Sequence, residues 1–326
     1  MVLRLGLLST ARINQTLLAA ARAGDVATVT AVASRDHASA AAYAKQNGIA
    51  SAHGGYQALL DDPAVDAVYI SLPNSLHVEW TLRALAAGKH VLCEKPLAWT
   101  GGDAEAVVVA AADAGLVLAE AFMYRHHPQT RALAGLVSSG RLGRLRRVRS
   151  RFAFPAELPG DAVVLDRGLA GGALHDVGCY CVSAARLVAG EPHHASAEAM
   201  IGPSGVDLRV RGTLEFAGGV VAELDAAIDL PDRVGVEVQG ESATALVADP
   251  WHCLQPAIEL RPGAPIAVAS GDPYRLQLDD FADAVRESRP ALISGAEIVG
   301  QARALEALDE SVRRGGARMR VATDVV

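Results

Sequence analysis

Between residues 2 and 122 the chain alternates short apolar runs with segments of helical spacing, and nothing else in it constrains the fold as strongly. The apolar runs are 2–8, 26–33, 66–72, 91–93 and 116–122; the helical segments are 10–23, 38–46, 75–87 and 102–114. Strands that are apolar throughout are buried on both faces. That requires helices on either side, reached by crossover connections. The expected architecture is α/β, a doubly wound parallel sheet, in which ligands bind beyond the carboxyl ends of the strands.

The second half alternates at the period of a half-buried strand. In 146–154, Val148, Phe152 and Phe154 oppose Arg147, Arg149 and Arg151. In 207–216, Leu208, Val210, Leu214 and Phe216 oppose Arg209, Arg211, Thr213 and Glu215. In 220–230, Leu224, Ile228 and Leu230 oppose Glu223, Asp225 and Asp229. This predicts a large, mostly antiparallel sheet with one charged face. Helices over 275–288 and 296–314 and a short strand over 318–322 close the chain. With 326 residues, too many for one core, two domains are expected, one over 1–122 and one over 123–326.

A net charge of −7 argues against nucleic acid or an anionic membrane as the main partner. No apolar run reaches the roughly eighteen residues of a membrane span. The N-terminus enters a strand pattern with no basic region, apolar core and cleavage site before it. Four cysteines are few for this length, which predicts reduced thiols and a cytoplasmic location.

Four turns fall at the expected carboxyl edge. The first, Gly6-Leu7-Leu8-Ser9-Thr10-Ala11-Arg12-Ile13, stands where a dinucleotide fingerprint belongs, with Ser9 and Ala11 in place of two glycines. Small residues still admit pyrophosphate to the amides at a helix N-terminus. The second is Ser34-Arg35-Asp36, where adenosine ribose would lie. An arginine there suits the 2′-phosphate of NADP, and an acid suits the 2′-hydroxyl of NAD. Asp36 also suits an N-cap, which favours NADP, with NAD possible. The third turn is Ser71-Leu72-Pro73-Asn74, followed by His77, read as a cofactor or substrate contact. The fourth is Glu94-Lys95-Pro96, where proline stops a buried strand and leaves Lys95 at its end.

A second candidate stretch is Gly171-Gly172-Ala173-Leu174-His175-Asp176-Val177-Gly178-Cys179-Tyr180. Asp176 and Tyr180 are four apart, on one helix face. They are either a capping acid and a half-buried aromatic, or a proton-carrying pair beside a hydride path. A tyrosine with a free pKa near 10 needs a positive neighbour for that work, and Lys95 would serve. His175, Cys179 and Cys181 lack a fourth ligand at zinc spacing, and His126-His127 and His193-His194 lack a spaced partner, so no metal is expected.

These motifs together resemble the Gfo/Idh/MocA oxidoreductases over essentially the whole chain. The Glu94-Lys95-Pro96-Leu97 turn, combined with the glycine-led helix of Asp176 and Tyr180, is specific to that family. The resemblance implies an N-terminal Rossmann domain and a C-terminal α+β domain. It implies a catalytic set of Lys95, Tyr180 and Asp176. The implied cofactor-binding residues are Gly6, Ser9, Thr10, Ala11, Arg12, Ile13, Ser34, Arg35, Ser71, Leu72, Pro73, Asn74, His77, Glu94, Lys95 and Arg125. Tyrosine at 180, where many members carry histidine, and Glu120 to Arg125 resemble the dimeric dihydrodiol dehydrogenase and NADP-dependent D-xylose dehydrogenase branch. His175 stands where an apolar residue is usual.

The expected activity is NADP(H)-dependent hydride transfer at a hydroxyl or carbonyl carbon of a sugar, cyclitol or related diol, by a homodimer or higher homo-oligomer. Either Tyr180 or Lys95 carries the proton. Two other readings compete. One is a glycosidase of this fold that oxidises its substrate transiently with NAD and turns over with no net redox change. The other is a non-catalytic NADP(H) sensor, against which the retained Lys95, Asp176 and Tyr180 argue.

Overall fold

In the computed structural model, which describes residues 2–156 and 163–322, the first sheet has six parallel strands. They are β1 (Leu3–Leu8), β2 (Ala27–Ala33), β3 (Ser51–His53), β4 (Ala67–Ile70), β5 (His90–Cys93) and β6 (Leu118–Glu120), in the order β3-β2-β1-β4-β5-β6. The helices between them are α1 (Asn14–Ala23), α2 (His37–Asn47), α3 (Tyr56–Leu60), α4 (His77–Ala86) and α5 (Gly101–Ala114). The strand order reverses direction between β1 and β4, the crevice where a doubly wound sheet takes a dinucleotide. The short β3 and α3 were not legible in sequence, because Ser51–His53 has no apolar run.

Helix α6 (Pro128–Ser138) leads into the second sheet. Its strands are β7 (Leu145–Pro155), β8 (Pro192–Ile201), β9 (Asp207–Phe216), β10 (Val221–Ala227), β11 (Asp229–Gly240), β12 (Thr244–Val247), β13 (Ala257–Arg261), β14 (Ile266–Ala267) and β15 (Met319–Arg320). Helix α7 (Cys179–Ala189) lies between β7 and β8 in the chain, and α8 (Pro273–Glu287) and α9 (Ala296–Arg313) between β14 and β15. The order is β14-β13-β12-β11-β7-β10-β9-β8-β15, antiparallel except for the pair β7 and β10. The run read as one strand over 220–230 is two, broken at Ile228, with Asp229 starting β11.

The chain forms two compact units, and they interleave. The first contains 1–98, 102–126 and 272–299; the second contains 99–101, 127–271 and 300–326. The sequence reading drew one boundary after Phe122. Helix α8 instead packs in the first unit: Leu278, Phe281 and Ala282 join Leu5, Leu7, Leu17 and Leu92 in one core. An amphipathic helix goes where its apolar stripe is buried, whatever its place in the chain.

Candidate active site

At the carboxyl edge of the first sheet, the turn after β1 departs from the glycine fingerprint in an instructive way. Gly6 sits inside β1, and a Cβ there would meet Leu59 Cδ2 at 2.7 Å and Val65 at 3.1 Å. It is glycine so that α3 can pack on the sheet. The unusual turn conformation falls to Ser9, at φ 144°, a region sparsely populated by non-glycine residues. Its side chain compensates: Oγ donates to Ser71 O at 3.0 Å, lies 2.7 Å from Ser71 Oγ and accepts the Ala11 amide at 3.1 Å. Asn14 Nδ2 donates to Ser9 O at 2.8 Å. The amides of Thr10, Arg12 and Ile13 make no hydrogen bond among the described residues and stand as donors before α1.

Past β2, Ser34 is half-buried and Arg35 exposed, and Arg35 makes no hydrogen bond or ion pair among the described residues. Asp36 is committed to α2. Its carboxylate accepts from Ala38 N (3.3 Å), Ser39 N (2.8 Å) and Ser39 Oγ (2.7 Å), bonds that lower its pKa. This donor set fits a phosphorylated dinucleotide: free amides at a helix N-terminus, a free guanidinium at the end of β2, and no carboxylate turned against a phosphate.

Past β4, Leu72, Pro73 and Asn74 form a tight turn closed by Leu76 N donating to Pro73 O at 2.9 Å. His77 is fully buried, and both its ring nitrogens are engaged: Nδ1 lies 2.8 Å from Pro96 O and Nε2 2.8 Å from Leu72 O. No ring nitrogen is left for a ligand. The reading of His77 as a cofactor or substrate contact is therefore corrected: it ties the turn after β4 to the turn that carries Lys95. Glu94 accepts the Tyr69 hydroxyl and, at 3.3 Å, the Lys95 amide. Arg125 is buried, with its guanidinium 3.4 Å from Glu297. That pair accounts for a residue read as cofactor-binding.

One residue at this edge escaped the sequence reading. Tyr274, in the first turn of α8, lies in the field of Glu94 and Lys95, and burial pushes its hydroxyl up to about 12. It was missed because it stands 179 residues beyond Lys95 in the chain.

In the second unit, Asp176 lies on a π-wound turn, Leu174–Gly178, that runs into α7. A π turn inside an α-helix is uncommon and concentrates at functional sites. Tyr180, in the first turn of α7, is 7 % exposed. Its ring meets Phe152 edge-on at 5.3 Å and Trp251 at 5.6 Å, and Trp251 Nε1 donates to Arg151 O at 3.0 Å. His175 stacks on Trp99 at 5.6 Å. Burial lowers its pKa. Cys179 Sγ donates to Asp176 O at 3.6 Å, and burial pushes the Cys181 thiol up to about 12.

His193 and His194 do have a nearby carboxylate, Glu215 of the neighbouring strand, with donor atoms within 4.8 Å of one another. Arg318 already occupies that corner: its Nε and Nη2 donate to Glu215 at 2.8 and 2.7 Å, and Nη2 lies 2.9 Å from His194 Nδ1. The cluster is an arginine clamp on the last strand.

Two family models match the chain: the Gfo/Idh/MocA oxidoreductase family, NAD-binding Rossmann fold, over residues 3–122, and the Gfo/Idh/MocA C-terminal domain over 130–246. The chain belongs to the Gfo/Idh/MocA oxidoreductase family. It is 41% identical to D-xylose 1-dehydrogenase (NADP(+)) 2 of Haloferax volcanii, over 88% of this chain and 90% of the relative. Identity to trans-1,2-dihydrobenzene-1,2-diol dehydrogenase of Sus scrofa is 35%, over 69% of this chain and 67% of that one. Among solved structures it resembles KijD10, a 3-ketoreductase from Actinomadura kijaniata in complex with NADP and TDP-benzene. The TM-score is 0.89 at 30% identity, covering 95% of this chain and 98% of the other. Like these Gfo/Idh/MocA relatives, the protein is an NAD(P)-dependent dehydrogenase or reductase acting on CH–OH groups, and a sugar oxidoreductase in the broad sense.

Proposed function

We propose that the protein is an NADP(H)-dependent oxidoreductase of a free sugar, cyclitol or related diol. Tyr180 exchanges a proton with the reacting oxygen. Lys95 hydrogen-bonds that oxygen and favours the tyrosinate electrostatically, and Asp176 orients the substrate's hydroxyls or the lysine. The nicotinamide, when bound, supplies or accepts the hydride. Ser9, the amides of Thr10, Arg12 and Ile13, and the turn 71–74 would hold the dinucleotide. Ser34 and Arg35 would hold its 2′-phosphate.

The observation that carries the cofactor preference is the commitment of Asp36 to the α2 N-terminus while Arg35 stays unengaged. The named activities of the relatives support a pentose, a deoxysugar ketone or a vicinal diol as substrate class. We also infer that the protein works in the cytoplasm, consistent with four free buried cysteines, and as a homodimer or larger assembly. No described helix is long and apolar enough to cross a membrane.

The test is an absorbance screen at the reduced-nicotinamide band, with both cofactors against free sugars, cyclitols, diols and keto sugars. The expected result is NADP(H)-linked turnover on at least one member. No redox change across the panel, with product released, would favour the glycosidase reading instead.

A further inference from the structure

We infer that Asp207 is a positioning residue of the active site: its carboxylate clamps the first turn of the glycine-led helix on which Asp176 and Tyr180 stand. The inference rests on the roles proposed above for those two residues. Asp207 opens β9, 33 residues beyond Leu174, and its Oδ2 accepts the Leu174 amide at 2.7 Å. The Ala173 N–H, one residue earlier, acts on the same carboxylate and lowers its pKa. These two N–H groups stand at a helix start, where none has an intrahelical partner.

The paired glycines read differently in this light. Gly172 has φ 118°, and a Cβ there would collide with Asp207 Oδ1. A Cβ on Gly171 would collide with the carbonyl of Val164, which accepts the Gly172 amide at 2.9 Å. Both positions are glycine because a carboxylate and a backbone segment close on the helix start from two sides. Two residues past the clamped amide comes Asp176, on the π-wound turn, and then the return to α winding that carries Tyr180. If the start slips, the widened turn is free to rewind, and the directions of Asp176 and Tyr180 change relative to each other.

The charge state matters to the clamp. Burial pushes the Asp207 carboxyl up to about 6, against the pull of its backbone bonds. Asp309 of α9 raises it further and is itself paired with Arg313 at 3.2 Å. His175 of the π turn also feels Asp309, and the Arg167 side chain lies against Gly205, two residues before Asp207. The ionised carboxylate offers acceptors only, whereas the protonated group keeps one acceptor oxygen and can turn a donor toward the Leu174 amide. The clamp therefore loosens as pH falls through about 6. Above that pH the buried charge costs folding stability, a cost that an asparagine would not carry.

The experiment measures kcat against pH, melting temperature and Leu174 amide exchange in wild type, Asp207→Asn, Asp207→Ala and Tyr180→Phe. Asp207→Ala is expected to lose about ten- to a hundredfold in kcat, the scale of a misplaced catalytic group. Asp207→Asn mimics the protonated wild type: its kcat is flat through pH 6, at the reduced level that wild type reaches on the acid side of its own limb. Its melting temperature exceeds that of wild type above pH 6 and converges with it toward pH 4. An Asn variant with the wild-type acid limb, or an Ala variant with wild-type kcat, overturns the proposal. If Asp207→Ala does not fold, the Asn profile decides. If Tyr180→Phe turns over normally, the assigned catalytic roles fail. The clamp is then judged by the Leu174 amide: faster exchange in Asp207→Asn as one bond is lost supports it, and unchanged exchange in every Asp207 variant overturns it.

Discussion

Lys95 and Tyr180 are the residues on which turnover is expected to depend. General acid–base assistance is worth about 10²–10⁴-fold, so Lys95→Ala and Tyr180→Phe should each lose kcat on that scale while binding NADP nearly as wild type does. Rapid-mixing turnover with parallel fluorescence titration of the cofactor checks both halves, and near-normal turnover in Tyr180→Phe would move the proton to Lys95. The second prediction at this scale concerns Arg35. With Asp36 held by Ala38 and Ser39, the guanidinium is the charge left for a 2′-phosphate. Losing one charge-assisted bond costs about 1.5–3 kcal/mol, roughly ten- to a hundredfold in affinity. Arg35→Ala should weaken NADP by that factor and NAD hardly at all; equal losses, or a wild-type preference for NAD, would overturn the assignment. Both turns were legible because their chemistry lies in consecutive residues. The work of Gly6 and His77 was not. Gly6 answers to Leu59, and His77 to carbonyls at positions 72 and 96, partners that only the folded chain brings near.

At the level of elements, the parallel strands of the first sheet were readable because burial on both faces leaves an unbroken apolar run. Strands β8 and β11 to β14 were not. Pro192–Ile201 begins Pro-His-His and beyond Pro192 buries only Ala195 and Ala197, a pattern too weak to register. The spacing of Asp176 and Tyr180 reads as one α-helical face, but Leu174–Gly178 is π-wound and α winding begins only at Cys179. On that turn stands His175, buried and stacked on Trp99. Its pKa is lowered by burial, so the folded protein keeps the ring neutral while the unfolded chain protonates near 6.5. Unfolded then binds more protons than folded just below that pH, and stability is lost as pH falls through it. His175→Leu should relieve this, and it trades a buried polar ring for an apolar side chain, a gain at any pH. Urea unfolding at pH 5.5 and 8 checks it: the variant should gain at both and gain more at 5.5. A gain no larger at 5.5 would mean that the ring titrates as if exposed.

For the whole molecule, the interleaving of the two units means that neither is a continuous piece of chain, and the last third contributes Tyr274 to the first unit and α9 to both. From sequence, the charged face of the nine-stranded sheet suits either cross-strand pairing or a wet contact with a second copy. In the fold its basic and acidic rows satisfy one another within the chain. Arg149 Nε donates to Glu223 at 2.8 Å, Arg209 binds Asp229 through two bonds of 2.8 and 3.0 Å, and Arg233 pairs with Asp225. Such pairs are worth little on a wet surface, with both partners of Arg149–Glu223 a third or more exposed. An assembly that covered them would withdraw them from competing water. The interface would then be polar and water-bearing at its rim, held by shape and paired charges more than by apolar area. Size-exclusion chromatography with light scattering should give about twice the 33.8 kDa of the chain, or a higher multiple, at micromolar protein and low salt. Arg149→Glu would set a third acid beside Glu223 and Glu237 and should shift the population toward monomer. Salt should restore little of it, since a like-charge cluster enclosed in an interface is poorly screened. A wild-type monomer would end the idea, and an Arg149→Glu variant as large as wild type would move the interface to another face.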